Sequence, residues 1–161
     1  MKKIVCLYLT LLLAVTFLPR LLSRSTGRSD DVWIVHDVSS QKDLSLSARD
    51  FLIGAVFAQT EPGFHTEALK AQAVIARTNA LYDRSRKPDS QTYDFIIDTD
   101  RYLSESQARE RFGDRYEAYR KKIEQAVDAV GSKYMMYRNR PILAPFFFLC
   151  AGKTEAAEAV W

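Results

Sequence analysis

The sequence predicts an α+β fold, with several helices packed on a small, incomplete antiparallel sheet. Three observations carry this reading. Apolar residues recur at three- and four-residue steps through residues 48–59, 66–84 and 116–130. β-prone runs frame them at residues 32–38 and 134–149. Gly, Pro and capping residues punctuate the intervals between them.

The composition sets the outer bounds. Of 161 residues, 47% are apolar and the net charge is only +3, which fits a chain that buries a core and excludes a disordered polymer. The length has room for one modest domain. Lysines and arginines alternate with acids across residues 101–128, the pattern of a solvated helix face, so no nucleic-acid partner is expected. Cys6 and Cys150 are too few for a disulfide framework, and His36 and His65 complete no closely spaced ligand cluster, so no metal and no cofactor are expected. Cys150 follows Phe146, Phe147, Phe148 and Leu149 and reads as a buried thiol.

Lys2 and Lys3 precede the run Ile4 to Leu18, whose only polar residues are two threonines and a tyrosine. A basic start before an apolar stretch is the layout of a secretory signal. No small-x-small cleavage site follows, so residues 1–22 read as an uncleaved signal anchor in preference to a cleaved signal. Either way, the remainder faces outside the cytoplasm. Residues 23–31 are polar and read as a tether; residues 32–161 form the folded part.

Within that part, Val32 to Val38 is expected as a strand. Ser47 is placed to cap a helix from Ala48 to Gln59, whose broad apolar side carries Phe51, Leu52, Ala55, Val56 and Phe57. Glu61-Pro62-Gly63 breaks it. The next helix runs from Thr66 to about Arg84, with Ala71, Val74, Ile75, Thr78 and Tyr82 expected as one buried stripe. Lys70, Arg77 and Arg84 are seven residues apart along one side. Ser104 with Gln107 forms a capping-box signal for a short helix ending at Gly113. Tyr116, Tyr119, Ile123, Ala126, Val127 and Val130 give a longer helix its apolar face, and Gly131 closes it.

Tyr134 to Tyr137, the turn Arg138-Asn139-Arg140 and Ile142 to Leu149 read as a β-hairpin. Ala151-Gly152-Lys153-Thr154-Glu155 is a turn, and Glu155 to Trp161 begins a helix. The run Ile142 to Leu149 is apolar on both faces and expects cover on both sides. The residues present hardly supply it, so either a partner covers this region or the chain is truncated, and the domain reads as incomplete.

Two stretches resemble a known family. Phe51-Leu-Ile-Gly-Ala-Val followed by Thr66-Glu-Ala-Leu-Lys-Ala-Gln-Ala-Val-Ile-Ala-Arg-Thr78 is similar to the signature helix of the stage II sporulation protein D family, also described with the LytB amidase enhancers. Pro141-Ile142, the aromatic run, Gly152-Lys153-Thr154-Glu155 and Glu158-Ala-Val-Trp161 resemble the family's Gly-x-Thr-Glu-x-x-Glu-x-x-Trp segment. The resemblance covers residues 32–161, as the N-terminal part of such a domain. It implies a membrane-anchored lytic transglycosylase that cuts denuded peptidoglycan glycan strands during engulfment in sporulation. The partners it implies are those strands, the membrane through the N-terminal segment, a wall amidase and a membrane scaffold of the engulfment machinery.

Such non-hydrolytic cleavage needs one carboxylic acid, which protonates the leaving oxygen and then accepts the proton of the sugar's own 6-hydroxyl. Burial must raise its pKa towards neutrality. The paired carboxylates of hydrolytic glycosidases are not required. The resemblance places this glutamate just before the signature helix, where the sequence reads Ala58-Gln59-Thr60-Glu61-Pro62. The family position falls on Gln59, which has no labile proton, and Glu61 two residues on is the candidate catalytic acid. Lys70, Gln72 and Arg77 match the signature as candidate substrate-binding residues, and Gly152, Lys153 and Thr154 match the turn bordering the substrate groove. Glu67, in the first turn of its helix, reads as complementing the helix dipole. The resemblance would place a His-Gln pair of a metal site in the central segment, but Asp98-Thr-Asp-Arg101-Tyr102 lacks it, so no metal is expected. The alternative to catalysis is a glycan-binding or scaffold relative, or a truncated fragment.

Overall fold

The computed structural model describes residues 31–147, 150 and 152–160. The expected anchor and nearly all of the expected tether lie outside the described residues. Among the described residues, no helix is long and apolar enough to cross a membrane.

Strand β1 (Val32–Asp37) is the centre of a three-stranded sheet. It pairs antiparallel with β2 (Lys42–Ser47), from Val32 opposite Ser47 to Asp37 opposite Lys42. On its other edge it pairs parallel with β3 (Phe95–Ile97), Val35 opposite Phe95. The class is α+β, and the small sheet is mixed. Neither β2 nor β3 was legible beforehand: Lys-Asp-Leu-Ser-Leu-Ser carries only two apolar residues, and Phe-Ile-Ile is three residues long. Both form because the neighbouring strand supplies their ladder.

Alternation along β1 turns Trp33 and Val35 into the core and leaves Val32 and Ile34 exposed. Trp33, Phe51 and Phe95 meet edge to face, with ring centroids 5.4, 5.8 and 5.1 Å apart. Helix α1 (Ala48–Gln59) begins at Ser47, whose side chain accepts the Asp50 N–H. It is buried nearly all round, as expected of a central helix. Gly54 lets the chain pass against it: the Leu103 N–H donates to the Gly54 carbonyl at 3.1 Å, and a Cβ there would lie 2.3 Å from the Tyr102 ring.

Helix α2 (Thr66–Ser85) packs across α1 with Leu69, Ala73, Ala76 and Ala80. The expected stripe is thus corrected. Thr78 is buried, but Ala71 is exposed and Val74, Ile75 and Tyr82 are half-buried. Ala73, Ala76 and Ala80 take the buried side in place of the bulkier residues. The same side carries Gln72 and Arg77 inward.

The capping box forms as read: α3 (Glu105–Phe112) starts at Ser104, with reciprocal bonds to Gln107, and ends at Gly113. A short 3₁₀ turn leads into α4 (Tyr116–Val130), which buries Tyr116, Ile123, Ala126, Val127 and Val130. Strands β4 (Met136–Tyr137) and β5 (Arg140–Pro141) form a two-residue hairpin, with Arg138 and Asn139 at φ 50° and 61°.

Two expectations fail beyond this point. Residues 142–147 form no strand, because among the described residues no second strand lies beside them; Asn79 of α2 holds them instead. Cys150 is exposed, not buried, since Phe146 and Phe147 ahead of it also face solvent, and its thiol donates to the Lys153 carbonyl. Phe148 and Leu149 lie outside the described residues. A short helix, α5 (Ala157–Val160), ends the described part.

Candidate functional site

The candidate site is built where α1 ends and α2 begins. The Gln59 side chain, on the last residue of α1, donates through Nε2 to the Arg101 carbonyl at 2.9 Å. Its Oε1 accepts from Gln72 Nε2 at 2.8 Å. Gln72 is buried on α2, so the pair ties both helices to the loop after β3. The arrangement uses both faces of the Gln59 amide: position 59 must donate to one partner and accept from the other.

Between the helices, Thr60 to His65 forms a tight loop. Glu61 lies on it, exposed, with its carbonyl accepting the Phe64 N–H at 3.0 Å. Lys122 of α4 fastens this loop from below, its ammonium reaching the carbonyls of Pro62 (3.4 Å), Gly63 (3.2 Å) and Phe64. The Glu61 carboxylate forms no ion pair among the described residues.

Lys70 is engaged locally, its ammonium 2.7 Å from Glu67 one turn earlier. The Lys70 hydrogen bond and charge hold the Glu67 carboxyl below its ordinary range. Arg77 is only 7% exposed. Its guanidinium lies 5.9 Å from the centroid of the Trp33 ring, and its buried Nε has no acceptor among the described residues. Burial lowers its pKa below the ordinary arginine value, with Asp31 pulling weakly the other way. A desolvated cation without a carboxylate partner is costly, and such groups cluster at binding sites.

Gly152, Lys153 and Thr154 are exposed, with Gly152 at φ 90°. Among the described residues, no hydrogen bond or ion pair joins that turn to Glu61, Lys70, Gln72 or Arg77. Nor do three or more His, Cys, Asp or Glu side chains there converge to hold a metal ion.

The loop-and-helix unit from Gln59 to Arg77 falls within residues 38–137, which match the family model described as stage II sporulation protein. This chain belongs to that family. Membership supports a role in sporulation. Stage II sporulation protein D of Bacillus subtilis (strain 168) is 33% identical over 132 residues, covering 79% of this chain and 38% of that protein. The protein of the same name from Bacillus amyloliquefaciens is 34% identical over 136 residues, with the same coverage. An uncharacterized protein of Brachyspira hyodysenteriae (strain ATCC 49526 / WA1) is 31% identical over 122 residues, 72% of this chain and 29% of its own length. The chain therefore spans well under half the length of the curated relatives it matches.

Within this sporulation-family unit, sequence reasoning missed the residues that position the loop. Arg101 supplies the carbonyl for Gln59 while its side chain spans Asp83, at 2.6 Å, and the Ile96 carbonyl, at 3.0 Å. Backbone acceptors leave no mark in a sequence. Lys122 sits in a run of alternating charges that reads as a solvated face, and nothing local distinguishes it from Lys121.

Proposed function

We propose that this member of the sporulation family binds denuded glycan strands of peptidoglycan outside the cytoplasm, during engulfment, as a relative of the lytic transglycosylases that does not itself cut. The observation that carries this reading is the Gln59 amide. An amide has no labile proton for a leaving oxygen. Its Nε2 faces the Arg101 carbonyl, where an ionised carboxylate would meet a second acceptor. The surrounding bonds thus suit a glutamine, and Arg77, on the same helix as Gln72, supports anion or hydroxyl binding as a desolvated donor. Lys70 and the turn Gly152-Lys153-Thr154 fit as further substrate-binding groups. A membrane anchor at residues 1–22, a wall amidase and an engulfment scaffold complete the setting.

A second reading keeps the lytic activity and assigns the acid to Glu61. It is favoured by the placement of this carboxylate two residues from Gln59 on a loop fixed by Lys122. Glu61 would protonate the glycosidic oxygen and then take the 6-hydroxyl proton as the anhydro ring closes. Glycan contact would have to cover this exposed carboxylate.

Mass spectrometry of denuded strands incubated with the full chain separates the two. Intact strands together with measurable strand binding are expected from the binding reading. Anhydro-muramic ends that vanish in Glu61→Gln would replace it with the lytic one. Absence of both binding and cleavage by the folded protein would sink both readings.

A further inference from the structure

A cleft of about 330 Å³ opens between the β1–β2 turn, the loop after β3 and the start of α3. Its size is at the lower end of the ~300–1,000 Å³ typical of small-ligand clefts. It is lined by hydroxyl and amide groups from three separate segments: Ser39 beside Asp37, Thr99 and Tyr102 from the loop, and Ser106 and Gln107 from α3. Arg101 and Tyr102 are consecutive, so one loop serves both places: Arg101 gives its carbonyl to Gln59, and Tyr102 lines the cleft.

The hydrogen bonds inside the lining leave a specific remainder. Asp37 accepts the Ser40 hydroxyl at 2.7 Å and the Ser39 N–H at 2.9 Å. Gln107 Oε1 accepts the Ser104 N–H at 2.8 Å in the capping box. The Gln107 NH₂, the Tyr102 hydroxyl and the Thr99 hydroxyl have no partner among the described residues. Burial pushes the Tyr102 hydroxyl above its ordinary pKa, which keeps it a donor. The Tyr102 ring is also fixed, stacked on Phe51 at 6.0 Å with 5° between the planes. The only formal charge in the lining is the Asp37 carboxylate. A wall of spare hydroxyl and amide donors beside a rigid ring and one acceptor matches a neutral, hydroxyl-rich ligand and repels an anionic one.

We propose that this cleft is a second carbohydrate subsite, taking a neutral N-acetylated sugar unit of a glycan whose neighbouring units lie by Gln59. This rests on the glycan-binding reading above. It assigns Tyr102 and Gln107 as donors to sugar hydroxyl or acetamido oxygens, and Thr99 as an adaptable donor or acceptor.

The test is ¹⁵N NMR of the full chain in zwitterionic detergent, titrated with the N-acetylglucosamine tetramer and, separately, with maltotetraose. Two variants accompany it. Tyr102→Phe removes the hydroxyl and keeps the ring; Gln107→Glu removes the NH₂ and keeps the capping oxygen. The proposal expects shifts in the Gln107 side-chain NH₂ and the Thr99 amide with the amino-sugar tetramer, and affinity about fivefold weaker in each variant. Binding that shifts residues 59–77 alone, with both variants at wild-type affinity, overturns this subsite and leaves the glycan reading standing. No binding of the amino-sugar tetramer anywhere overturns both. Equal response to maltotetraose overturns the assignment to an amino sugar.

Discussion

Gln72 and Gln59 face each other through their side-chain amides, Nε2 of Gln72 donating to Oε1 of Gln59 at 2.8 Å. The consequence falls on the far side of Gln59, where Nε2 donates to the Arg101 carbonyl. In Gln59→Glu, a carboxylate oxygen would point at that carbonyl, and only the protonated acid could keep the bond. The folded state would therefore hold the introduced carboxyl above its unfolded pKa. With more protons bound in the folded than the unfolded state, stability falls as pH rises from the unfolded pKa to the folded one. Thermal melts should match wild type near pH 4 and show a loss on the order of 1–3 kcal/mol at pH 7.5. A pH-independent difference would mean that the bond to Arg101 does not discriminate amide from acid.

Arg77 makes the opposite case, a residue whose removal should help folding. Its guanidinium is desolvated and its Nε has no acceptor among the described residues; the Trp33 ring and the weaker pull of Asp31 compensate it. Arg77→Met keeps an unbranched apolar stem and discards the charge. The variant should be as stable as wild type or more so, by up to about 2 kcal/mol, while strand binding drops by about tenfold or more. Denaturant melts and pull-down on denuded strands read the two effects separately. A variant that loses stability and binding together would make Arg77 a structural residue.

What the sequence could reveal here tracks how local each cause is. The Ser47 cap, the Ser104–Gln107 box and the ends at Gly113 and Gly131 depend on residues a few positions apart, and all four were legible. The class followed from helical periodicity, β-prone runs and the punctuation between them. The buried side of α2 did not, because Ala73, Ala76 and Ala80 matter only once α1 lies against them. Strands β2 and β3 were missed for a related reason: their pairing partner β1 is the signal, and it lies elsewhere in the chain. At the site, Gln59, Gln72 and Arg77 stood out by resemblance, whereas Arg101 and Lys122 act through backbone carbonyls and had no local signature.

Lys122 offers a test of that last point. Its ammonium gathers three carbonyls of residues 62–64, which would otherwise turn towards one another or to water. In Lys122→Met the stem still packs on the loop, but the donors are gone. Because the ammonium is half-exposed, the expected cost is only about 1 kcal/mol. The sharper effect is local: the Phe64 amide, bonded to the Glu61 carbonyl, should exchange with deuterium about tenfold faster or more. Unchanged exchange at Phe64 would show that the Glu61–Phe64 turn holds itself.

Asn79 performs for residues 142–147 the task that a neighbouring strand would have performed. Its Nδ2 donates to the Ala144 carbonyl at 3.0 Å, and its Oδ1 accepts the Ala144 N–H at 2.8 Å. One turn of α2 thereby imitates one rung of a ladder. Next to it, the Thr78 hydroxyl accepts the Met135 N–H at 3.0 Å, so α2 grips the hairpin on both sides. Ala144 is buried, and in Asn79→Ala its N–H and carbonyl would lose both partners where water enters poorly. The expected destabilisation is about 1–3 kcal/mol, with faster exchange at Ala144 and little change at Met135. Asn79→Asp keeps the acceptor for the Ala144 N–H and loses the donor, so its effect should fall between wild type and Asn79→Ala. If both variants melt like wild type and the Ala144 amide exchanges at its original rate, the segment is held by the packing of Ala144 alone.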